Sequence, residues 1–264
     1  MANSKRGMGN VRVCEFQSES VEEAKLIDCG HLNLDSTSHL GAFTSLSYDI
    51  FLKTLVIGTD AGDIIIWDMQ AEKEVTRTSV DVCGIQEVQF QNPHSLMILG
   101  KSTQSPIQVF DIHNCHQEAL HPTLKSQPSH YPWLTSMCPH HARDEVLVGT
   151  SKGDVLRWDL RASISDTYHL HDAKGKSRCY YERLNNYFIV TALKYNYQRT
   201  GSVFSTATDG SLKISELSSG GVTSSTLAQE SSASMSCLDY DIDSGSLLAG
   251  SNLGRLHLRK LKDW

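Results

Sequence analysis

Residues Leu134 to Leu160 read LTSMCPHHARDEVLVGTSKGDVLRWDL, and this stretch decides the fold. It opens on an alternating segment, LTSMCP, crosses a polar spacer, runs through the apolar VLVGT, turns at SKGD and leaves as VLRWDL. Short runs rich in β-branched residues, bounded by Gly, Asp and Ser, predict strands rather than helix. Gly153 sits where a tight hairpin needs a positive φ. The segment is therefore a three-stranded antiparallel meander.

Working outward, the same layout recurs four more times, as FTSLSYDIFLKTLVIGTDAGDIIIWDM from Phe43, IQEVQFQNPHSLMILGKSTQSPIQVFDI from Ile85, VTALKYNYQRTGSVFSTATDGSLKISEL from Val190 and MSCLDYDIDSGSLLAGSNLGRLHLRKL from Met235. The step from the apolar centre of the first strand to the turn residue is 16 or 17 residues in all five: Leu46 to Gly62, Val88 to Ser105, Met137 to Gly153, Leu193 to Gly210 and Leu238 to Gly254. Ser105 is the exception among the turn glycines, and Pro106 after it predicts a longer, looser turn. After the turn, Leu212 and Ile214, Leu256 and Leu258, and Ile107 and Val109 alternate with polar residues, which predicts strands with one buried face. Repeats of about 40 to 45 residues with four strands each read as propeller blades. The expected architecture is all-β, one domain over 1–264, with a partial blade at 1–36 and blades at 37–77, 78–125, 126–183, 184–230 and 231–264.

The repeat endings carry a resemblance. Trp67-Asp68, Phe110-Asp111 and Trp158-Asp159, together with the turn glycines Gly62, Gly153, Gly210 and Gly254, are similar to the WD-repeat (WD40) family over about 220 residues from Phe43 onward. The resemblance implies a network of His, Ser or Thr, Asp and Trp, with the Asp just before the turn glycine. Only Asp209 fills that position; Ala61, Lys152 and Leu253 stand in the others, and His39 is the candidate histidine for the first repeat. Most blades are thus expected to rely on packing. The resemblance also implies a ring of about seven blades. VRVCEF at 11–16 and KLIDCGHLNL at 25–34 read as the last two strands of a further blade, and the final repeat lacks an outer strand, which suggests a fragment, a shortened form or a ring that a partner closes.

In order and spacing, AEKEVTRTSVDVCGIQEVQF, IQVFDI, VLVGTSKGDVLRWDLR and GSLLAGSNLGRLHLRKL also resemble the forty-three-kilodalton WD-repeat nucleoporin family of the Y-shaped outer-ring complex. That resemblance implies a non-catalytic scaffold partnered by nuclear pore outer-ring subunits, at the nuclear envelope and, in mitosis, the kinetochore, serving protein and mRNA transport. An alternative comes from Trp158, Asp159 and Arg161. This W-D-x-R ending is similar to the adaptor-docking motif of cullin-RING ubiquitin-ligase substrate receptors, with Arg161 as the contact.

Other chemistry is weaker. With a formal net charge of −6, the chain lacks the bulk basic footprint of a nucleic-acid binder. No apolar run approaches the length of a membrane-spanning helix, and the N-terminus has no apolar leader core. Seven cysteines without C-x-x-C spacing point to a reducing compartment. Gly149 to Gly153 spells G-x-S-x-G, but the following alternation predicts a strand where a nucleophile elbow needs a helix. The clusters His113-Asn114-Cys115-His116 and Cys138-Pro139-His140-His141 lack zinc-ligand spacing. The long connection 162–186 brings Lys174, Lys176, Arg178 and Arg183 beside Tyr180 and Tyr181, which reads first as a solvated loop, next as a basic-aromatic contact for an acidic protein partner, and last, given the net charge, as one for single-stranded RNA. No residue set suggests a small-molecule substrate, cofactor or metal, and no enzyme is expected.

Overall fold

The computed structural model describes residues 11–18, 24–32, 41–80, 84–101, 106–112, 116–120, 134–161, 164–171, 188–218 and 221–261. They form twenty-one strands and no helix. The chain divides into two compact units, residues 1–121 and 122–264.

In the first unit, β1 (Val11–Ser18) and β2 (Ala24–Leu32) pair antiparallel, as the two strands of a partial blade. Two four-stranded blades follow: β3 (Phe43–Asp49), β4 (Thr54–Thr59), β5 (Asp63–Asp68) and β6 (Lys73–Ser79), then β7 (Ile85–Asn92), β8 (Ser95–Gly100), β9 (Ile107–Asp111) and β10 (His116–Leu120). The second unit holds the blade β11 (Leu134–Pro139), β12 (Glu145–Thr150), β13 (Asp154–Asp159) and β14 (Ile164–His169), and the blade β15 (Val190–Tyr195), β16 (Ser202–Ala207), β17 (Ser211–Ser218) and β18 (Gly221–Gln229). Its last sheet, β19 (Met235–Asp241), β20 (Ser246–Ser251) and β21 (Leu256–Lys260), has three strands among the described residues. The five sheets are the five repeats, each an antiparallel meander in chain order.

The turn residues behave as the spacing predicts. Gly62, Gly153, Gly210 and Gly254 have φ of 91°, 81°, 76° and 74°, and each donates its N–H to the carbonyl three residues back. Ser105 and its turn lie outside the described residues. A feature invisible in the sequence is an irregularity at the start of every inner strand, at Phe43/Ser45, Ile85/Glu87, Leu134/Ser136, Val190/Ala192 and Met235/Cys237. Such bulges sharpen the local twist where the chain enters each blade.

The alternation after the turn does not mean one buried face. Ile64 to Trp67 in β5 are buried consecutively, as are Leu55 to Thr59 in β4, because both sides of the sheet are covered. Val56, Ile64 and Ile66 pack with Val88 and Phe90 of the next blade, while Leu55, Ile57, Ile65 and Trp67 cluster around Val11 on the other side. In the second unit Cys138, Leu147 and Val155 meet Leu193 and Tyr195, and Phe204, Leu212 and Ile214 meet Leu238 and Leu247. Leu256, expected on a buried face, is instead exposed, and Leu258 is only partly covered. The long connection from 162 is also shorter than expected, since Ile164–His169 is the blade's outer strand, paired along all of β13.

Candidate protein-interaction site

The Trp-Asp endings divide their labour between packing and turn closure. Trp67, Trp158 and Phe110 are buried, and the indole N–H groups of both tryptophans have no hydrogen-bond partner among the described residues. Asp68 accepts the N–H groups of Gln70 at 2.8 Å and Ala71 at 2.9 Å, and Asp159 accepts that of Arg161 at 2.9 Å. These aspartates fix the turn leaving the third strand. Asp111 ends β9 with the same geometry of chain, its neighbour Ile112 donating to His94 O at 2.9 Å.

The polar network around Asp209 is completed by a residue the repeat alignment passes over. His171, just after β14, places Nε2 2.9 Å from Ser205 Oγ and Nδ1 3.1 Å from Ser211 Oγ and 3.4 Å from Asp209. Ser211 donates its hydroxyl to Asp209 at 2.6 Å and its N–H at 2.8 Å. Burial pushes the His171 pKa down, so the ring is neutral, and the partners are satisfied with its proton on Nδ1. Burial opposes ionisation of Asp209, but the hydrogen bonds from His171 and Ser211 outweigh it and hold the carboxyl at about 2. His171 also donates its backbone N–H to Gly153 O at 3.0 Å, so one residue ties the third blade's turn to the fourth blade's network. The only signal for it in sequence was its place a short way before the fourth repeat. His39, the candidate for the first repeat, lies outside the described residues.

Serine, histidine and aspartate in a row invite comparison with a nucleophilic relay. Here Ser205 and His171 are buried, and Ser205 sits in mid-strand within β16. A substrate carbonyl has no approach to that hydroxyl, so the arrangement acts as a clasp. The G-x-S-x-G stretch is likewise a strand-to-strand turn, with Thr150 Oγ1 accepting from Asp154 N at 3.1 Å.

Surface features are more open to partners. In the β3–β4 turn, Asp49 accepts the N–H groups of Phe51 and Leu52 at 2.8 and 2.9 Å, and Lys53 adopts φ 52°. The resulting rigid turn presents Ile50, Phe51 and Leu52 outward, with Phe51 92% exposed. Three consecutive large apolar side chains held in water are unusual unless something covers them. The corresponding turn of the third blade carries His140 and His141. These rings pack on Tyr195 and Tyr197 of the next blade, with centroids 4.7 Å apart for His140–Tyr195 and 5.8 Å for His141–Tyr197. Tyr195 Oη donates to Glu145 at 2.9 Å, and burial drives both tyrosine pKa values upward. No three His, Cys, Asp or Glu side chains gather as a metal set among the described residues.

Arg161 projects from the end of the third blade with its side chain 82% exposed, and its guanidinium pairs with Asp144. Lys174, Lys176, Arg178, Tyr180, Tyr181 and Arg183 lie outside the described residues, as does the cluster 113–115. A shallow cleft of about 510 Å³ runs between β14 and β18, lined by Asp166 to His169, Ser218, Gly221 and Val222. Its charges are spent locally: Asp166 pairs with Arg157 at 3.2 Å and His169 with Asp154 at 2.6 Å.

No protein-family model matches the sequence, and no curated protein does. Among solved structures, the chain is similar to the β-propeller domain of Cps50 (Swd1) from Myceliophteria thermophila, with a TM-score of 0.62 and 14% identity. The match covers 89% of this chain and 73% of that domain. At that identity the likeness speaks to fold alone. The described blades, their turns and this neighbour together establish a WD40-like, five-bladed, all-β propeller fold.

Proposed function

We propose that the chain is a non-catalytic scaffold that binds other proteins, and that it serves as a nucleoporin subunit of the nuclear pore outer-ring complex, at the nuclear envelope, in nucleocytoplasmic transport. The observation that carries the scaffold reading is the Ile50-Phe51-Leu52 turn. Asp49 locks its backbone, so a partner that buries Phe51 loses little conformational freedom in the turn, and aromatic anchors of this kind dominate interface energetics. The outer-ring assignment is supported by the order and spacing of the blade segments in the sequence.

A second reading is favoured by one observation, the exposed Arg161 at the end of Trp158-Asp159-Leu160, which suits an adaptor contact in a ubiquitin-ligase receptor. One experiment separates the two. The tagged chain, Phe51→Asp and Arg161→Ala are each used for affinity capture from nucleated cells and read by mass spectrometry. The scaffold reading expects several outer-ring nucleoporins with the parent chain and Arg161→Ala, and their loss with Phe51→Asp. Capture of a cullin and its adaptor that only Arg161→Ala abolishes would overturn it in favour of the receptor.

A further inference from the structure

We infer that two copies of this chain pair edge to edge through β18, giving a closed, two-fold symmetric dimer in which the two fourth blades make one continuous eight-stranded sheet. An exposed strand edge carries a row of backbone donors and acceptors that can pair with another chain, and proteins blunt such edges with charge, proline, brevity or a cover. Each complete blade ends on an outer strand that is the edge of its sheet among the described residues. Three of these strands are blunted: β6 carries Lys73, Glu74 and Arg77, β10 is five residues long with Glu118, and β14 carries Asp166. The fourth, β18, is nine residues long and reads GVTSSTLAQ, with no charge and no proline.

Its geometry keeps that edge regular. Gly221 to Thr226 pair one for one with Ser218 to Lys213 of β17, and the ladder's irregularity falls beyond them, at Leu227. Thr223, Ser224, Ser225 and Thr226 are all exposed, and the Val and Thr residues suit an extended backbone. The charges on the flanking strands are already engaged. Lys213 donates to Leu170 O at 2.7 Å and Glu216 pairs with Arg199, while across the neighbouring cleft Asp166 pairs with Arg157 and His169 with Asp154. The approach to β18 is therefore close to neutral.

The same features choose the occupant. Charged rims select unlike partners by complementarity, and β18 offers no charge to read. What fits an uncharged run of Val, Thr and Ser is another such run, and laid antiparallel on itself this strand is self-complementary. With the two-fold axis at Ser224, that serine faces its own copy, Thr223 faces Ser225 and Val222 faces Thr226, each pair on one face of the sheet. Thr and Ser set opposite one another hydrogen-bond across strands.

Just outside the paired segment, Leu227 of each copy comes beside Gly221 of the other. A Cβ on Gly221 would meet nothing within 4 Å among the described residues, and Gly221 and Val222 line the cleft between β14 and β18, so the leucine has room to settle there. An interface made of one patch and its own copy is isologous, and it closes at two subunits.

The test is sedimentation velocity on the purified full chain over a wide concentration range at low ionic strength. The parent is expected to rise from the 29.3 kDa monomer to twice that mass and to stop there. Ser224→Lys and Ser224→Glu each set like charges against each other at the axis, at an exposed position, so each alone stays monomeric with an unchanged β-sheet circular dichroism spectrum. Mixing the two in equal amounts restores the dimer. Thr167→Lys, on the β14 side of the same cleft, leaves the dimer intact. A parent chain that is monomeric at every concentration overturns the proposal, as does a dimer that both charged variants leave intact or a mixture of them that remains monomeric. Loss of the dimer in Thr167→Lys also overturns it, since the contact would then belong to the cleft rather than to the strand edge.

Discussion

The fourth and fifth blades share a turn with the same backbone and differ in what stands behind it. Gly210 and Gly254 have φ of 76° and 74°. Behind Gly210, a Cβ would meet Glu230 O at 2.0 Å and Ala233 O at 2.4 Å, because the outer strand β18 and the chain leaving it fold back over the turn. Behind Gly254 nothing among the described residues lies within 4 Å. The fourth blade also has the His171 clasp, while the fifth has Leu253 before its turn glycine and Arg259-Lys260 where the first and third blades place Trp-Asp and the fourth Ser215-Glu216. Backbone geometry is thus a property of the local turn, whereas its energetic weight comes from the strand that closes over it.

This contrast can be broken most forcefully at Gly210. Gly210→Ala combines a strained φ with a clash against backbone that cannot retreat, and is expected to cost about 3 kcal/mol or more in chemical denaturation. His171→Ala comes next, at about 2 to 3 kcal/mol, since it leaves the buried Ser205 without a partner and weakens the satisfaction of Asp209. The same residue predicts a pH dependence. Because burial lowers the folded-state pKa of His171 below its ordinary 6.5, the clasp contributes in full above that value. Its contribution is lost as the pH falls and the unfolded chain takes up the proton first. Denaturation midpoints measured from pH 7 to pH 5 should decline in the parent and decline less in His171→Gln. His140, also lowered by burial and by Arg143, leaves a residual slope of the same sign.

Gly254→Ala sharpens the comparison from the other side, with an expected cost of only about 1 kcal/mol from the positive φ alone. If it matches Gly210→Ala, the strand behind the turn is not what sets the cost. The smallest effect is assigned to Arg161→Ala, whose exposed pairing with Asp144 should contribute less than about 1 kcal/mol to the denaturation free energy.

The repeat, its turns and the strand count were legible because glycine at a fixed step from an apolar strand has one economical meaning. The β1–β2 hairpin was readable for the same reason, from VRVCEF and KLIDCGHLNL. What escaped was long-range. His171 acts on residues thirty-four to forty positions away, and no local pattern marks a histidine as belonging to the next repeat. The burial of β5 on both faces, against an expectation of alternation, depends on the neighbouring blade rather than on IIIWD itself. ISDTYH, within the expected long connection 162–186, lacks apolar alternation, yet Ile164–His169 pairs residue for residue with β13. The Ile50-Phe51-Leu52 turn looked like ordinary spacer, since exposure of apolar side chains is decided by what fails to cover them.

The third strand of the last sheet has a further consequence for how the molecule behaves in a crowded solution. Along Leu256–Lys260, among the described residues, the ladder has a partner on one side only, which makes that rim a template for any extended chain that comes near. Arg259 and Lys260 guard it by mutual repulsion between molecules, a protection that acts over roughly a Debye length and shrinks as ionic strength rises. Salt, more than heat, should therefore decide whether concentrated preparations stay clear or turn cloudy.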